Sequence, residues 1–393
     1  MTIAQSGANS TRPVHDSHTW ITYVQLAFWA SFLYAFGSSN ALLRDEQGTS
    51  RSVAGLHGTA LAAGGLIGGL LTAPLIERWG RGRVIRVSAL AAAGSILIYT
   101  VPHGAVPVTL AGAALASFFG TLLLISINAF LLDYQGPAGP TALTEANALA
   151  SFAGILGPLA IGVAAATFLG WRAGMWVIVV GLIGIEFWRG RDVDTYGTKG
   201  LAAHEDAPGK LPRRVFWSLG LIMCFLGAEF CLTFWSADLL RERSGLGPAA
   251  AAASIGAISL GMLIGRWWGS RLAQRIATEK LLVWSTVLAL TGFALAWSFT
   301  WWPIVVFGLF LTGVGIGVDW PLGVARTVRA SGGMTDRASA SASIAGSIAI
   351  AIAPIVLGMI SDALGFHVAF LVVPVLLLGA LTILIIRPVP DLA

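Results

Sequence analysis

Charge is what this 393-residue chain has least of: Asp, Glu, Lys and Arg make up 11% of it, against 56% hydrophobic residues. So little charge cannot give a core of that size a wettable surface, which excludes a soluble globule and makes a bilayer the solvent. Cysteine is also scarce. Cys224 and Cys231 lie two turns apart in one apolar stretch, so neither a disulfide framework nor a thiolate metal cluster is indicated. The six His residues are scattered through the tail, loops and helix ends without ligand spacing, and no metal or other cofactor is expected. No Gly-x-x-x-x-Gly-Lys-Ser/Thr occurs, which excludes ATP-driven pumping within the chain. The apolar stretches hold no set of Ser with a basic partner, nor paired acids, of the kind a membrane-embedded hydrolase wants. The chain does not read as an enzyme.

What it has instead is apolar run length. A membrane-spanning helix needs roughly 20 apolar residues. Such stretches begin near Trp20, Val53, Val84, Val106, Ala146, Trp171, Val215, Ala249, Leu281, Pro303, Ala338 and His367. Twelve crossings place both termini on one side. The first 19 residues are polar with a single Arg, and the apolar stretch behind them is too long for a signal-peptide core, so no cleaved leader is expected.

Lys and Arg set the orientation, because positive loops stay cytoplasmic during insertion. With the N-terminus inside, eighteen fall on cytoplasmic segments, from Arg12 through Arg78 to Arg86, Arg189, Lys199 and Arg214 to Arg387. Five fall opposite (Arg44, Arg51, Arg172, Arg241 and Arg243), and Arg266 lies within the eighth span. The net charge of +5 is therefore topological, and no nucleic-acid partner is expected. A multi-pass protein of the cytoplasmic (inner) membrane is expected, with both termini inside and the lipid bilayer as its surroundings. Trp20, Trp171, Trp188, Trp217, Trp301 and Trp302 lie near span ends, where an aromatic belt would sit.

The chain repeats itself at an offset of 196 residues: Gly65 matches Gly261, Gly69 matches Gly265, Pro158 matches Pro354 and Gly162 matches Gly358. Two pseudo-symmetric six-helix halves follow, at 20–188 and 215–387, with a tail at 1–19, a cytoplasmic linker at 189–214 and a second tail at 388–393. The linker holds Gly197, Gly200, Pro208 and Gly209 among charges and lacks apolar periodicity. The fold expected is all-α and polytopic, with a central site on the axis between the halves.

The turn from Ala73 to Arg83 (Ala-Pro-Leu-Ile-Glu-Arg-Trp-Gly-Arg-Gly-Arg) resembles the signature loop between helices 2 and 3 of the major facilitator superfamily, Gly-x-x-x-Asp-Arg-x-Gly-Arg. Ala73 stands for the Gly and Glu77 for the Asp, while Arg78, Gly80 and Arg81 match. The resemblance implies gate roles for Glu77, Arg78 and Arg81, alternating access, and action as a monomer. Its second-half counterpart, Gly269 to Lys280, has Ala273 where the acid would be. In the seventh and eighth spans, Gly227-Ala-Glu229 through Trp235 and Gly265-Arg266 resemble the fucose permease-like branch. The chain departs from that branch in the first span, which has no acid, and in the fourth, which offers only Asn128 and, at its end, Asp133. Gly157-Pro158 and Gly162 are similar to part of the superfamily's antiporter motif, which implies export.

Charges inside a span cost a few kcal/mol each and mark a pathway or a pair. Glu229 lies near the middle of the seventh span on one stripe with Thr233 and Ser236, and is expected to bind and release a proton. Its alternative is a static pair with Arg266. Asp319, just before Trp320-Pro321, is a second proton site or a gate partner of Arg326. Asp133 and Glu145 are expected to pair with Arg78 or Arg81, and Arg266 belongs to the gate set or snorkels. Gln25, Asn128, Asn147, Thr233 and Trp235 are the candidate substrate contacts, giving an aromatic, weakly polar cavity suited to a moderately apolar or cationic solute.

The sequence thus predicts a secondary active transporter of a small organic solute, coupled to protons, with drug or metabolite efflux favoured. A proton-coupled sugar or nutrient importer and a transporter-like ligand sensor are the alternatives.

Overall fold

Twelve helices long and apolar enough to cross a membrane build the structure, a computed structural model describing residues 13–197, 210–273 and 275–389. In the first half they are α1 (Ser17–Gln47), α2 (Arg51–Trp79), α3 (Arg81–Tyr99), α4 (Val106–Gln135), α5 (Gly139–Ala165) and α6 (Trp171–Arg189). In the second they are α7 (Arg213–Ser244), α8 (Pro248–Leu272), α9 (Thr278–Ser298), α10 (Trp302–Ser331), α11 (Thr335–Leu364) and α12 (Phe366–Ile386). Arg12, Lys199 and the stretches 1–12, 198–209 and 390–393, which hold much of the expected tails and linker, lie outside the described residues.

Two expectations are corrected here. The fifth helix begins at Gly139, not near Ala146, because Pro140 can open a helix and Thr141, Thr144 and Glu145 make its first turns amphipathic, extending it into the interface. Trp171 is 7% exposed, packed on Tyr99 and covered by the Arg172 guanidinium, so it is no belt residue. Trp20, Trp188, Trp217, Trp301 and Trp302 are exposed.

Helix α10 is broken: its first part ends at Ile316 and its second begins at Asp319. Pro321 causes this, since it lacks the N–H that would bond the carbonyl of Gly317 four residues back.

The helices carrying the described termini end together at one side, called proximal below; the other side is distal. Helices α1 and α7 cross at the molecular axis and are buried along most of their length. The halves also meet along α2 with α11 and α5 with α8. The 196-residue repeat has its physical meaning in these two seams. A Cβ on Gly162 would lie 2.7 Å from the carbonyl of Ala249 in α8, and one on Gly358 would lie 2.7 Å from the carbonyl of Arg51 at the start of α2. Each seam needs a glycine because backbone meets backbone there.

Ion pairs that join the halves gather at the distal end. Arg44 binds Asp238 at 2.6 Å, Arg241 binds Asp45 at 2.5 Å, and Arg51 pairs with Glu242. Asp362 at the end of α11 accepts hydrogen bonds from the backbone N–H groups of Arg51 and Ser52 at 3.1 and 2.9 Å, capping α2 from the other half. Proximal ion pairs stay within a half: Arg81 with Asp133 at 2.7 Å, Arg86 with Glu186 at 3.4 Å, Arg326 with Glu279 at 2.7 Å. The molecule is held shut distally.

Helix α1 starts at Asp16, whose carboxylate accepts from the Thr19 N–H at 2.9 Å and from the Tyr134 hydroxyl. Burial pushes this carboxyl up, but the hydrogen bonds from Tyr134 and Thr19 outweigh it and hold it below the usual carboxylate range. The cap therefore stabilises fully above pH of about 4 and weakens as pH falls through the lowered value. Asp16→Ala is expected to cost about 1 kcal/mol, read as a lower thermal midpoint in detergent at pH 7 that converges on the wild type under acid.

Candidate functional site

Midway along the axis, one side chain touches both halves. Arg266 of α8 donates through Nε to the carbonyl of Gly317 at 3.1 Å, the acceptor that Pro321 leaves open. Through Nη1 it reaches the hydroxyl of Tyr34 in α1 at 3.2 Å and Ser151 Oγ in α5 at 3.5 Å. The guanidinium thus completes broken α10 and spans the inter-half cleft with one planar fork.

Two carboxyls accompany it. Glu229 on α7 is 8% exposed and near enough to Arg266 and Asp319 for charge to couple the three. Among the described residues none lies within hydrogen-bond or ion-pair distance of its carboxylate. Asp319, 2% exposed, has one oxygen 3.5 Å from Ser285 Oγ of α9 and the other, Oδ2, without a hydrogen-bond partner among the described residues. The expected pairing of Asp319 with Arg326 is not made. Arg326 is committed to Glu279, Ser218 and the carbonyl of Arg387, at the proximal end of the second half. The helix break turns Asp319 inward, away from that end.

The other sequence candidates separate into groups. Asn147 is exposed one turn before half-buried Ser151 on the same face of α5, on the side of the cleft that Arg266 crosses, and its Nδ2 donates to the Leu143 carbonyl at 2.8 Å. Asn128 is half-buried in α4 with its Oδ1 unpartnered. Gln25 is enclosed away from the axis, donating to Glu186 Oε1 and accepting from Arg189 Nη2, each at 2.5 Å. The Trp235 indole donates to the carbonyl of Pro354 at 3.0 Å and is 1% exposed, which makes it a brace between α7 and α11. Thr233 lies at the α1–α7 crossing, its hydroxyl bonded to the Glu229 carbonyl at 3.0 Å.

Of the gate candidates, Arg81 pairs with Asp133. Glu77 and Arg78 are exposed and line a 360 Å³ surface cleft with Arg83 and Asp194. Glu145 binds His15 at 2.7 Å and the Tyr23 hydroxyl at 3.0 Å, in place of the expected arginines, because the early start of α5 swings it toward the N-terminal segment. Gly157, from the antiporter-like stretch, packs on the Ser31 carbonyl of α1 and is explained by helix contact. Tyr34 and Ser285 escaped the sequence reading. A lone Tyr or Ser in an apolar span carries no signal until its neighbour is known.

Twelve spans in two pseudo-symmetric halves, sealed at one end over a polar centre on the axis between them, are the architecture of a multi-pass membrane transporter. The chain belongs to the Major Facilitator Superfamily, whose profile matches residues 24–293 and 268–393. It is similar, with 26% identity over 378 residues and 91% of each chain covered, to an uncharacterized MFS-type transporter of Yersinia pestis. Its fold is similar to that of a mutant of the nucleoside transporter NupG, with a TM-score of 0.74, 12% identity, and 95% of this chain and 99% of that one covered. A mutant of the E. coli fucose:proton symporter FucP matches with a TM-score of 0.60, 19% identity, and 95% and 100% covered.

Proposed function

We propose that the protein is a proton-coupled secondary transporter of a small organic solute bearing hydroxyl or carbonyl groups, with Glu229 and Asp319 as the proton carriers. The observation that carries this is a pair of under-bonded carboxyls, Glu229 beside Arg266 and Asp319 beside Glu229. The Ser285 hydroxyl, whose proton has a nearer acceptor in the Leu282 carbonyl at 2.9 Å, gives Asp319 only a long contact of 3.5 Å, so a buried carboxylate there is poorly satisfied and a proton on it is favoured. Loading and unloading a proton on Glu229 changes the charge facing Arg266, and hence its hold on both halves, and the charge on Asp319 acts on Glu229 in turn.

The solute class follows from the donors. Arg266 and Tyr34 offer donors at the cleft, Ser151 an acceptor oxygen and Asn147 the second N–H of its amide, while Trp235, the aromatic platform expected from the sequence, is committed elsewhere. That favours a polar solute over a lipophilic cation. The direction, export as the sequence favours or import, is what vesicle orientation reads in the test below. With the proximal end as the cytoplasmic one, as the Lys and Arg distribution favours, this is an inward-facing state.

The test is proton movement in inside-out and right-side-out vesicles, read with a pH-sensitive dye while pools of nucleosides, sugars, organic anions and lipophilic cations are added. A dye response to one polar pool in the wild type, lost in Glu229→Gln and Asp319→Asn, is expected, and vesicle orientation reads the direction. A response that survives in both variants would falsify the coupling role.

A further inference from the structure

At the proximal end, the start of α7 and the end of α12 form an open surface cleft of about 650 Å³ lined by Arg213, Arg214, Phe216, Trp217, Arg387 and Pro388. Its cations differ from their neighbours. Arg81, Arg86, Arg189 and Arg326 each have a carboxylate within ion-pair distance. Arg213, Arg214 and Arg387 have none among the described residues, and no acid lines the cleft. Arg214 is held in place by its Nε on the Ala330 carbonyl at 2.6 Å, and the Arg387 guanidinium lies 5.2 Å over the Trp217 ring. The positive end of the 32-residue α7 adds to this field, with no acid in its first turn and no side-chain cap.

The same residues present an apolar flank at interface depth. Phe216 is 61% exposed and Trp217 47% exposed, on the turn directly above the arginines. On the other flank of Phe216 a second cleft, about 710 Å³, is lined by Lys210, Leu211, Arg337, Ala340, Ser341 and Ile344. Three cations, two of them held in place, below two exposed aromatic rings match a molecule with an anionic head and acyl chains, and the bilayer that this fold requires supplies it. A free phosphate would use the arginines and leave the rings idle.

We propose that this cleft is a binding site for an anionic phospholipid of the proximal leaflet, with the phosphate on Arg213, Arg214 and Arg387 and the acyl chains along Phe216 and Trp217. Juxtamembrane cations contribute about 1 kcal/mol each toward anionic lipid. The site is independent of the transported solute.

The experiment is native mass spectrometry of the full chain in mild detergent, titrated with phosphatidylglycerol or phosphatidylethanolamine. Phosphatidylglycerol is expected to bind the wild type more tightly, and Arg213→Gln with Arg387→Gln to weaken it about tenfold or more. The charge-keeping pair Arg213→Lys with Arg387→Lys should keep most of the binding. Inorganic phosphate should not displace the lipid, since it cannot occupy the aromatic flank. Should the Gln pair fail to fold, the wild type and Lys pair still decide through salt: screening must weaken phosphatidylglycerol binding as ionic strength rises. Equal binding of the two lipids, binding unchanged in a folded Gln pair, displacement by inorganic phosphate, or insensitivity to salt would overturn the proposal.

Discussion

Gly37→Val is expected to drive the transporter out of its distally closed state and to abolish transport, although residue 37 touches no solute. A Cβ at Gly37 would sit 2.0 Å from the carbonyl oxygen of Thr233 and 3.0 Å from the Cα of Phe234. Both neighbours are backbone atoms of α7, in the other half, so no side chain can rotate away. Relief requires the halves to part where Arg44 binds Asp238 and where the Ser38 hydroxyl meets the Ala252 carbonyl at 3.0 Å. Overpacking of this kind costs about 1–3 kcal/mol, enough to move a two-state population by roughly five- to hundredfold. Spin labels on the distal loops at Thr49 and Leu246 would report it as a longer distance. Gly184→Val is the control, since nothing lies within 4 Å of a Cβ there. An unchanged distance distribution in Gly37→Val would mean that the α1–α7 crossing is not where the halves close.

That crossing shows how far the sequence could be read. Run length exposed the spans, because a bilayer imposes one length on every helix, and the offset of 196 exposed the two halves. Glu229 and Arg266 stood out because a charge inside a span is rare. Periodicity gives the face a residue occupies but not what that face meets, and this separates Gln25, held by Glu186 and Arg189, from Asn147, facing the cleft. The destination of Asp319 was hidden for a different reason. Pro321 announces a bend, but the side to which the chain turns depends on which donor takes the Gly317 carbonyl. That donor, Arg266, lies 51 residues earlier. Tyr34 was illegible for the same reason, since its hydroxyl matters only as an Arg266 partner.

Arg266 therefore carries the second large effect, and two substitutions separate its roles. Arg266→Met keeps an unbranched apolar stem and removes the charge and the fork. The Gly317 carbonyl then loses its partner at a cost of about 1–3 kcal/mol, and Glu229 loses its neighbouring cation. A lower thermal midpoint and loss of transport are both expected. Arg266→Lys keeps the charge as a point on a shorter reach, and cannot hold the Gly317 carbonyl and the Tyr34 hydroxyl at once. Stability close to the wild type with transport reduced about tenfold or more is expected, measured as vesicle uptake beside melting in detergent. Should Lys restore both, charge alone is what the site needs. Should Met melt early yet transport at the wild-type rate, Arg266 is only the staple of broken α10, and solute recognition falls to Tyr34, Ser151 and Asn147.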